Sequence, residues 1–250
     1  MLPESKANGK LTEKKRVKAL PELVPPRTVR LKFCKFGKLQ YISHLDLQTA
    51  FNRIINRACL PVWYTKGFNP HIKLVFSTPL SVGTESVCEY LDIRIDREMS
   101  CEEIKDRLNA EMTDEFYITE AYLPKNDFSE IAWASYDMSI HTVGADAQMA
   151  CEIGRVLTTS PMTLTKRSKS GEKEVDIIPL IREVGVTYNA ETDSIDIKTT
   201  VRASSTEYLN PELIVTGLRK YLGILAGDPM QEYYTIMRTA IFKEDLTEFR

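Results

Sequence analysis

The chain has 250 residues, 43 % of them hydrophobic and 27 % charged, with a formal net charge of −2. That length can bury one large core or two of ordinary size. No run approaches the ~20 apolar residues a bilayer span requires, and the N-terminus lacks the apolar core of a secretory signal, so a soluble cytoplasmic protein without membrane contact is expected.

Residues 1–27 are polar and basic and run into PELVPP, which predicts a flexible basic tail ended by a stiff Pro-Pro step. In TVRLKFCKF, Val29, Leu31 and Phe33 alternate with Arg30, Lys32 and Cys34, the period of a half-buried strand. LDLQTAFNRIINRA places Leu47, Phe51, Ile54 and Ala58 at helical spacing, with Arg53 and Arg57 on the polar face. PVWYT and IKLVFST read as strands on either side of KGFNPH. VCEYLDIRID follows as a strand, CEEIKDRLNAEM as a helix and FYITEAYL as a strand. The order is β-α-β-β-α-β, the ferredoxin-like plan.

The remainder repeats that plan: WASYDMSIHTV as strand, DAQMACEIGRVLTT as helix, then MTLTKRS, EVDIIPLIREVGVTYN and SIDIKTTVRA as hairpin strands. PELIVTGLRKYLGI is a helix and YYTIMRTAIFK a closing strand. KRSKSG at 166–171 reads as a solvated hairpin tip. The expected fold is α+β, two tandem ferredoxin-like halves over residues 28–123 and 124–250.

Charge is distributed unevenly. Residues 1–75 hold 15 Lys and Arg against 4 Asp and Glu, so the later residues carry the acidic excess. A basic face favours a phosphate-rich partner. The five cysteines, Cys34, Cys59, Cys88, Cys101 and Cys151, are odd in number and show no CxxC-type spacing. They are expected to be buried thiols of a reducing compartment. No cofactor is expected, and there is no GxGxxG, Walker or GxSxG sequence to argue for one.

Two of the three histidines sit in short punctuated motifs, YISHLD and KGFNPH. Ser43 followed by Asp46 is a capping-box variant, which places His44 in the first helical turn, where free N–H groups make an anion site. In KGFNPH, Gly67 permits positive φ and Pro70 holds Asn69 extended, so the turn presents Phe68 and His71. His44, Asp46, Gly67, Asn69 and His71 are expected to converge on one pocket edged by Arg53 or Lys66. Three possible ligands, His44, Asp46 and His71, without ligand-pair spacing make a poor metal site, and none is expected. His141, in a strand-like run, reads as structural.

The stretch from RLKFCKF through ISHLDL and GFNPH to LDIRI, continued by EVDIIPLI and RTAIF, resembles a bacterial radical-SAM-associated family, a domain of unknown function found alone or at the C-terminus of radical-SAM proteins. The likeness covers nearly everything from residue 28. It implies a cobalamin-binding radical-SAM protein as partner. This chain has no CxxxCxxC, so it resembles the accessory part and not the catalyst. The layout is also similar to that of RNA-binding RAMP proteins and CRISPR-repeat endoribonucleases, a likeness of fold only.

The functional expectation is an accessory protein that binds RNA or another anionic substrate and presents it to the radical-SAM partner. Lys32, Lys35, Lys38, Arg53, Arg57, Lys66 and Lys73 would take phosphates, and Trp63, Tyr64 or Phe68 would stack on bases. The alternatives are a metal-independent RNA-cleaving or RNA-modifying enzyme with His44 and His71 as acid and base, and a structural partner that binds no nucleic acid.

Overall fold

The computed structural model describes residues 4–159, 161–168 and 171–250. The fold is mixed α+β, and the chain divides into two compact units. The first takes the residues up to Val82 with Ser86–Asn126 and Arg250, the second Gly83–Glu85 and Asp127–Phe249.

The first unit contains α1 (Glu4–Lys18), β1 (Glu22–Lys35), α2 (His44–Arg57), β2 (Val75–Phe76), β3 (Thr84–Arg97), α3 (Cys101–Asn109) and β4 (Phe116–Tyr122). β1 lies between β4 and β3, β2 pairs with β3, and every pairing is antiparallel. The β1–β3 register sets Val29 opposite Ile93 and Leu31 opposite Leu91. Since strand side chains alternate in direction, Val29, Leu31 and Phe33 share one face with Leu91 and Ile93. That face is buried together with Leu47, Phe51, Ile54 and Ile55 of α2 and Ile104 and Leu108 of α3. Phe33, Phe51 and Phe116 meet edge to face, with centroids 5.0 to 5.8 Å apart.

Part of the stretch expected to be a flexible tail is helical among the described residues. Residues 4–18 form α1, and β1 begins at Glu22, with a register break between Glu22 and Arg27 that spans Pro25 and Pro26, which have no N–H to donate. Only Val17 of the described α1 side chains is buried, at 6 % exposure. Lys10 pairs with Glu111, Arg16 with Glu103 and Glu13 with Arg107, partners about 90 to 100 residues away. No local pattern encodes such contacts.

PVWYT is not a continuous strand either. It makes isolated bridges, Val62 with Ile95 and Tyr64 with Ile72, and β2 is only two residues long. Pro61, Pro70 and Pro79 remove donors along this edge.

The second unit contains β5 (Trp133–His141), α4 (Ala147–Thr159), β6 (Thr163–Ser168), β7 (Gly171–Asp176), β8 (Ile181–Asn189), β9 (Ser194–Arg202), α5 (Glu212–Leu222) and β10 (Tyr233–Phe242). Its antiparallel sheet runs β10-β5-β9-β8, while β6 and β7 pair with each other. Ala134, Met138 and Ile140 face Val201, Ile197 and Ile195 across β5 and β9, all buried, while Ser135, Asp137 and Ser139 oppose Thr200, Lys198 and Asp196. One face is apolar and the other polar, the alternation of a half-covered sheet. The EVDIIPLI run divides at Pro179 into β7, a 3-10 turn at Ile178–Leu180 and β8. The hairpin tip predicted at 166–171 falls partly outside the described residues.

Candidate functional site

The YISHLD motif builds the N-terminus of α2. Ser43 has extended φ and ψ, and its hydroxyl accepts from the Asp46 amide at 3.2 Å, while the Asp46 carboxylate accepts from the Ser43 amide at 3.3 Å and its hydroxyl at 2.7 Å. This reciprocal box satisfies two otherwise orphaned amides and sets a carboxylate against the positive end of the helix dipole. His44 is the first helical residue. Its ring meets Phe76 edge-on at 4.9 Å, and its Nε2 lies 3.2 Å from the Gln48 amide nitrogen one turn later.

His44 also lines a small cavity of about 10 Å3, together with Lys35, Ser43, Phe76, Thr78 and Glu89. That is room for about one water molecule. Lys35 is 2 % exposed and Glu89 5 %. Phe33 is paired with Glu89 in the β1–β3 register, and Lys35 is two residues beyond Phe33, so the core-facing stripe ends in a cation and an anion. Lys35 is therefore corrected from a surface phosphate ligand to a buried group whose Nζ donates to the Gln40 carbonyl at 3.4 Å. Sequence reasoning missed Glu89. The available signal was an acidic residue at an inward position of VCEYLDIRID.

The KGFNPH turn is braced at its base. Tyr64 bridges to Ile72, the Thr65 amide donates to the His71 carbonyl at 3.0 Å, and the His71 amide donates to the Thr65 hydroxyl at 3.1 Å. His71 Nδ1 lies 3.1 Å from the Asn69 carbonyl and 3.0 Å from the Thr65 hydroxyl. A proton on Nδ1 satisfies the Asn69 carbonyl and leaves Nε2 as the acceptor. Gly67 has φ +142°, a conformation open to glycine and unfavourable to L side chains. The outcome is a constrained tip on which Phe68 is fully exposed, at 111 %.

The two histidine motifs make no hydrogen bond or ring contact with each other; His44 is engaged by Gln48 and Phe76, and His71 by Thr65 and Asn69. Arg53 stands nine residues after His44, two and a half helical turns, so it leaves the opposite side of α2 about 13 Å further along. It sits one turn before Asn56, whose side-chain oxygen accepts from the Tyr64 hydroxyl at 3.3 Å, which ties that end of α2 to the base of the KGFNPH turn. Arg53, Lys66 and Lys73 are exposed and carry no ion pair among the described residues. Arg57 is committed instead: its guanidinium donates to the Glu111 carboxylate at 2.8 Å and carbonyl at 2.9 Å. Lys32 lies 3.8 Å from Glu120.

Burial pushes the Cys34 thiol up, and Cys59 and Cys88 are also buried, but Cys101 is half-buried and Cys151 exposed, which corrects the expectation of five buried thiols. Among the described residues, no group of three or more His, Cys, Asp or Glu is placed to hold a metal ion, and no helix is long and apolar enough to cross a membrane.

Comparison with known proteins gives a family. A model described as an uncharacterized protein conserved in bacteria (DUF2344) matches residues 28–211, and the chain belongs to that family. No curated protein matches. Among solved structures, a chain of a Cbf5-Nop10-Gar1 complex is similar at 14 % identity and a TM-score of 0.44, over 87 % of this chain and 50 % of that one, so this chain spans half its length. The DyPB protein from Rhodococcus jostii RHA1 aligns at 10 % identity and a TM-score of 0.20, over 87 % of this chain and 94 % of that one.

Proposed function

We propose that this member of the uncharacterized bacterial family is a cytoplasmic, non-catalytic accessory protein that binds RNA and presents it to a cobalamin-binding radical-SAM partner. We read both halves as ferredoxin-like. In support, the first unit has its first strand between the fourth and third with the second strand beyond, and the second unit runs β10-β5-β9-β8, the same order once the β6–β7 hairpin is set aside.

The observation that carries the RNA reading is Phe68. A fully exposed phenyl ring on a tip braced by Thr65, Asn69 and His71 gains nothing for the fold. It is suited to stacking on an unpaired base, which tolerates any sequence because every base has a π-face. Lys66 and Lys73 lie on the same turn and its exit, and Arg53 on the adjoining end of α2, cations placed to neutralise the flanking phosphates.

The test is single-stranded RNA binding measured over a range of salt. Binding should weaken steeply with salt, Phe68→Ala should weaken it about tenfold at every salt concentration, and Lys66→Glu should reduce the salt slope. Unchanged binding in both variants overturns the RNA reading. The partner claim is tested separately by co-purification from native cells, where recovery of RNA without a radical-SAM protein removes the accessory role.

A further inference from the structure

A second hollow, about 330 Å3, opens in the first unit between α1, the C-terminal half of α2 and the end of β3. Its floor is apolar, made of Val17, Ile55, Leu60 and Val62, all buried. One wall is the half-exposed Tyr64, whose hydroxyl is held by Asn56 at 3.3 Å. Lys14 and Lys18, one helical turn apart on α1, stand at the rim.

Of the lysines on this helix without an ion pair among the described residues, Lys14, Lys15 and Lys18, it is Lys14 and Lys18 that line the hollow. Lys10, Glu13 and Arg16 are spent on ion pairs that hold α1 in place. Lys14 and Lys18 are exposed and make no hydrogen bond or ion pair among the described residues. Arg97 adds a third cation only loosely used, 3.5 Å from Glu22 and 3.9 Å from Asp96. Asp96 provides one acceptor among these cations, and burial holds its carboxyl above the usual aspartate range.

The chemistry of the lining selects its ligand. A bare anion would use the ammonium groups and leave the apolar floor wet, and a bare aromatic ring would leave the lysines idle. A volume of this size suits a small organic molecule, with a few polar groups setting its orientation over an apolar surface. We infer that the hollow is a binding site for a nucleoside phosphate, with the phosphate between Lys14 and Lys18, the ring against Tyr64 over the apolar floor, and Asp96 positioned to accept from a base amino group.

The ligand can be a free mononucleotide or the phosphorylated end of an RNA chain, which share this chemistry. Phe68 is not among the residues that line the hollow, although Tyr64, one of its walls, also closes the base of the KGFNPH turn. The experiment is calorimetric titration of the full chain with nucleoside 5′-monophosphates, nucleosides, inorganic phosphate, and short ribo-oligomers with and without a 5′-phosphate.

Monophosphates should bind, with nucleosides and inorganic phosphate each at least about tenfold weaker, since each forfeits one half of the recognition. The Lys14→Ala/Lys18→Ala double variant should lose about tenfold or more. Tyr64→Phe should retain most of the binding that Tyr64→Ala loses, and Phe68→Ala should leave monophosphate binding unchanged. A 5′-phosphorylated oligomer that binds tighter than the monophosphate, in a manner dependent on Lys14 and Lys18, identifies RNA as the source. A monophosphate that binds at least as tightly identifies the free nucleotide. Monophosphate binding no tighter than that of inorganic phosphate, or unaltered in the double lysine variant, overturns the site. Circular dichroism of each variant guards against misfolding, a small risk at two exposed lysines.

Discussion

Asp46→Ala removes half of the box that starts α2. The variant forfeits the bond from the Ser43 amide at 3.3 Å and that from the Ser43 hydroxyl at 2.7 Å, and leaves the bond from residue 46's own amide to Ser43. An N-terminal cap contributes about 1 kcal/mol, and a carboxylate in the first turn adds roughly 0.3 to 1 kcal/mol through the helix dipole. A loss of about 1.3 to 2 kcal/mol from the first unit is therefore expected. Ser43→Ala should cost about 1 kcal/mol. Because the two side chains bond each other, the double variant should lose less than the sum, with a coupling of about 0.5 kcal/mol or more. The assay is urea unfolding followed by Trp63 fluorescence in a Trp133→Phe background, since one tryptophan belongs to each unit. At a slope of about 2 kcal/mol per molar urea, Asp46→Ala should lower the midpoint by roughly 0.6 to 1 M. An unchanged midpoint, or strictly additive losses, refutes the reciprocal box as the source of stability.

Three further outcomes follow from the packing. Glu232 accepts from the Thr142 hydroxyl and from the Val143 and Gly227 amides, bonds that hold its carboxyl below the usual glutamate value of 4.5. Its stabilisation is fully present above that value and disappears as pH falls through the lower folded value, so Glu232→Gln should make the second unit less stable at neutral pH and flatten its loss on acidification. Identical acid titrations of Trp133 fluorescence, recorded with Trp63 replaced by Phe, would contradict this. α1 is held by exposed ion pairs, each worth at most about 1 kcal/mol and screened by salt, and by Val17; hydrogen exchange of its amides should quicken between low and high salt, and salt-independent exchange would show that the pairs contribute nothing. Gly217 sits in α5 where an added Cβ would lie 2.0 Å from the sulfur of the fully buried Met162. Gly217→Ala gains about 1 kcal/mol of helix propensity but forces a repacking that costs about 1 to 3 kcal/mol, so calorimetry should find a net loss, and a gain in stability would mean that Met162 has room to move.

Local pattern alone specified the elements whose causes are local. The alternation through Val29, Leu31 and Phe33 specified β1 and its buried face, the Ser43 and Asp46 spacing specified the start of α2, and Gly67 before Asn69-Pro70 marked a sharply constrained turn. Each depends on neighbours within a few residues, where backbone sterics and side-chain period act directly. The tertiary structure decided what depends on distant partners. Helix α1 is ordered by Glu103, Arg107 and Glu111, and the same Glu111 withdraws Arg57 from the cations available to a ligand. Lys35 and Glu89, a strand apart, meet one cavity beside His44, while His71 turns to its own loop. Charge and residue type can be counted along a chain, but whether a cation is free, paired or buried is set by groups that reach it only when the chain folds. For that reason the composition could announce an excess of basic residues, and only the fold could separate the exposed ones that carry no ion pair among the described residues, Lys14, Lys15, Lys18, Lys38, Arg53, Lys66 and Lys73, from the rest.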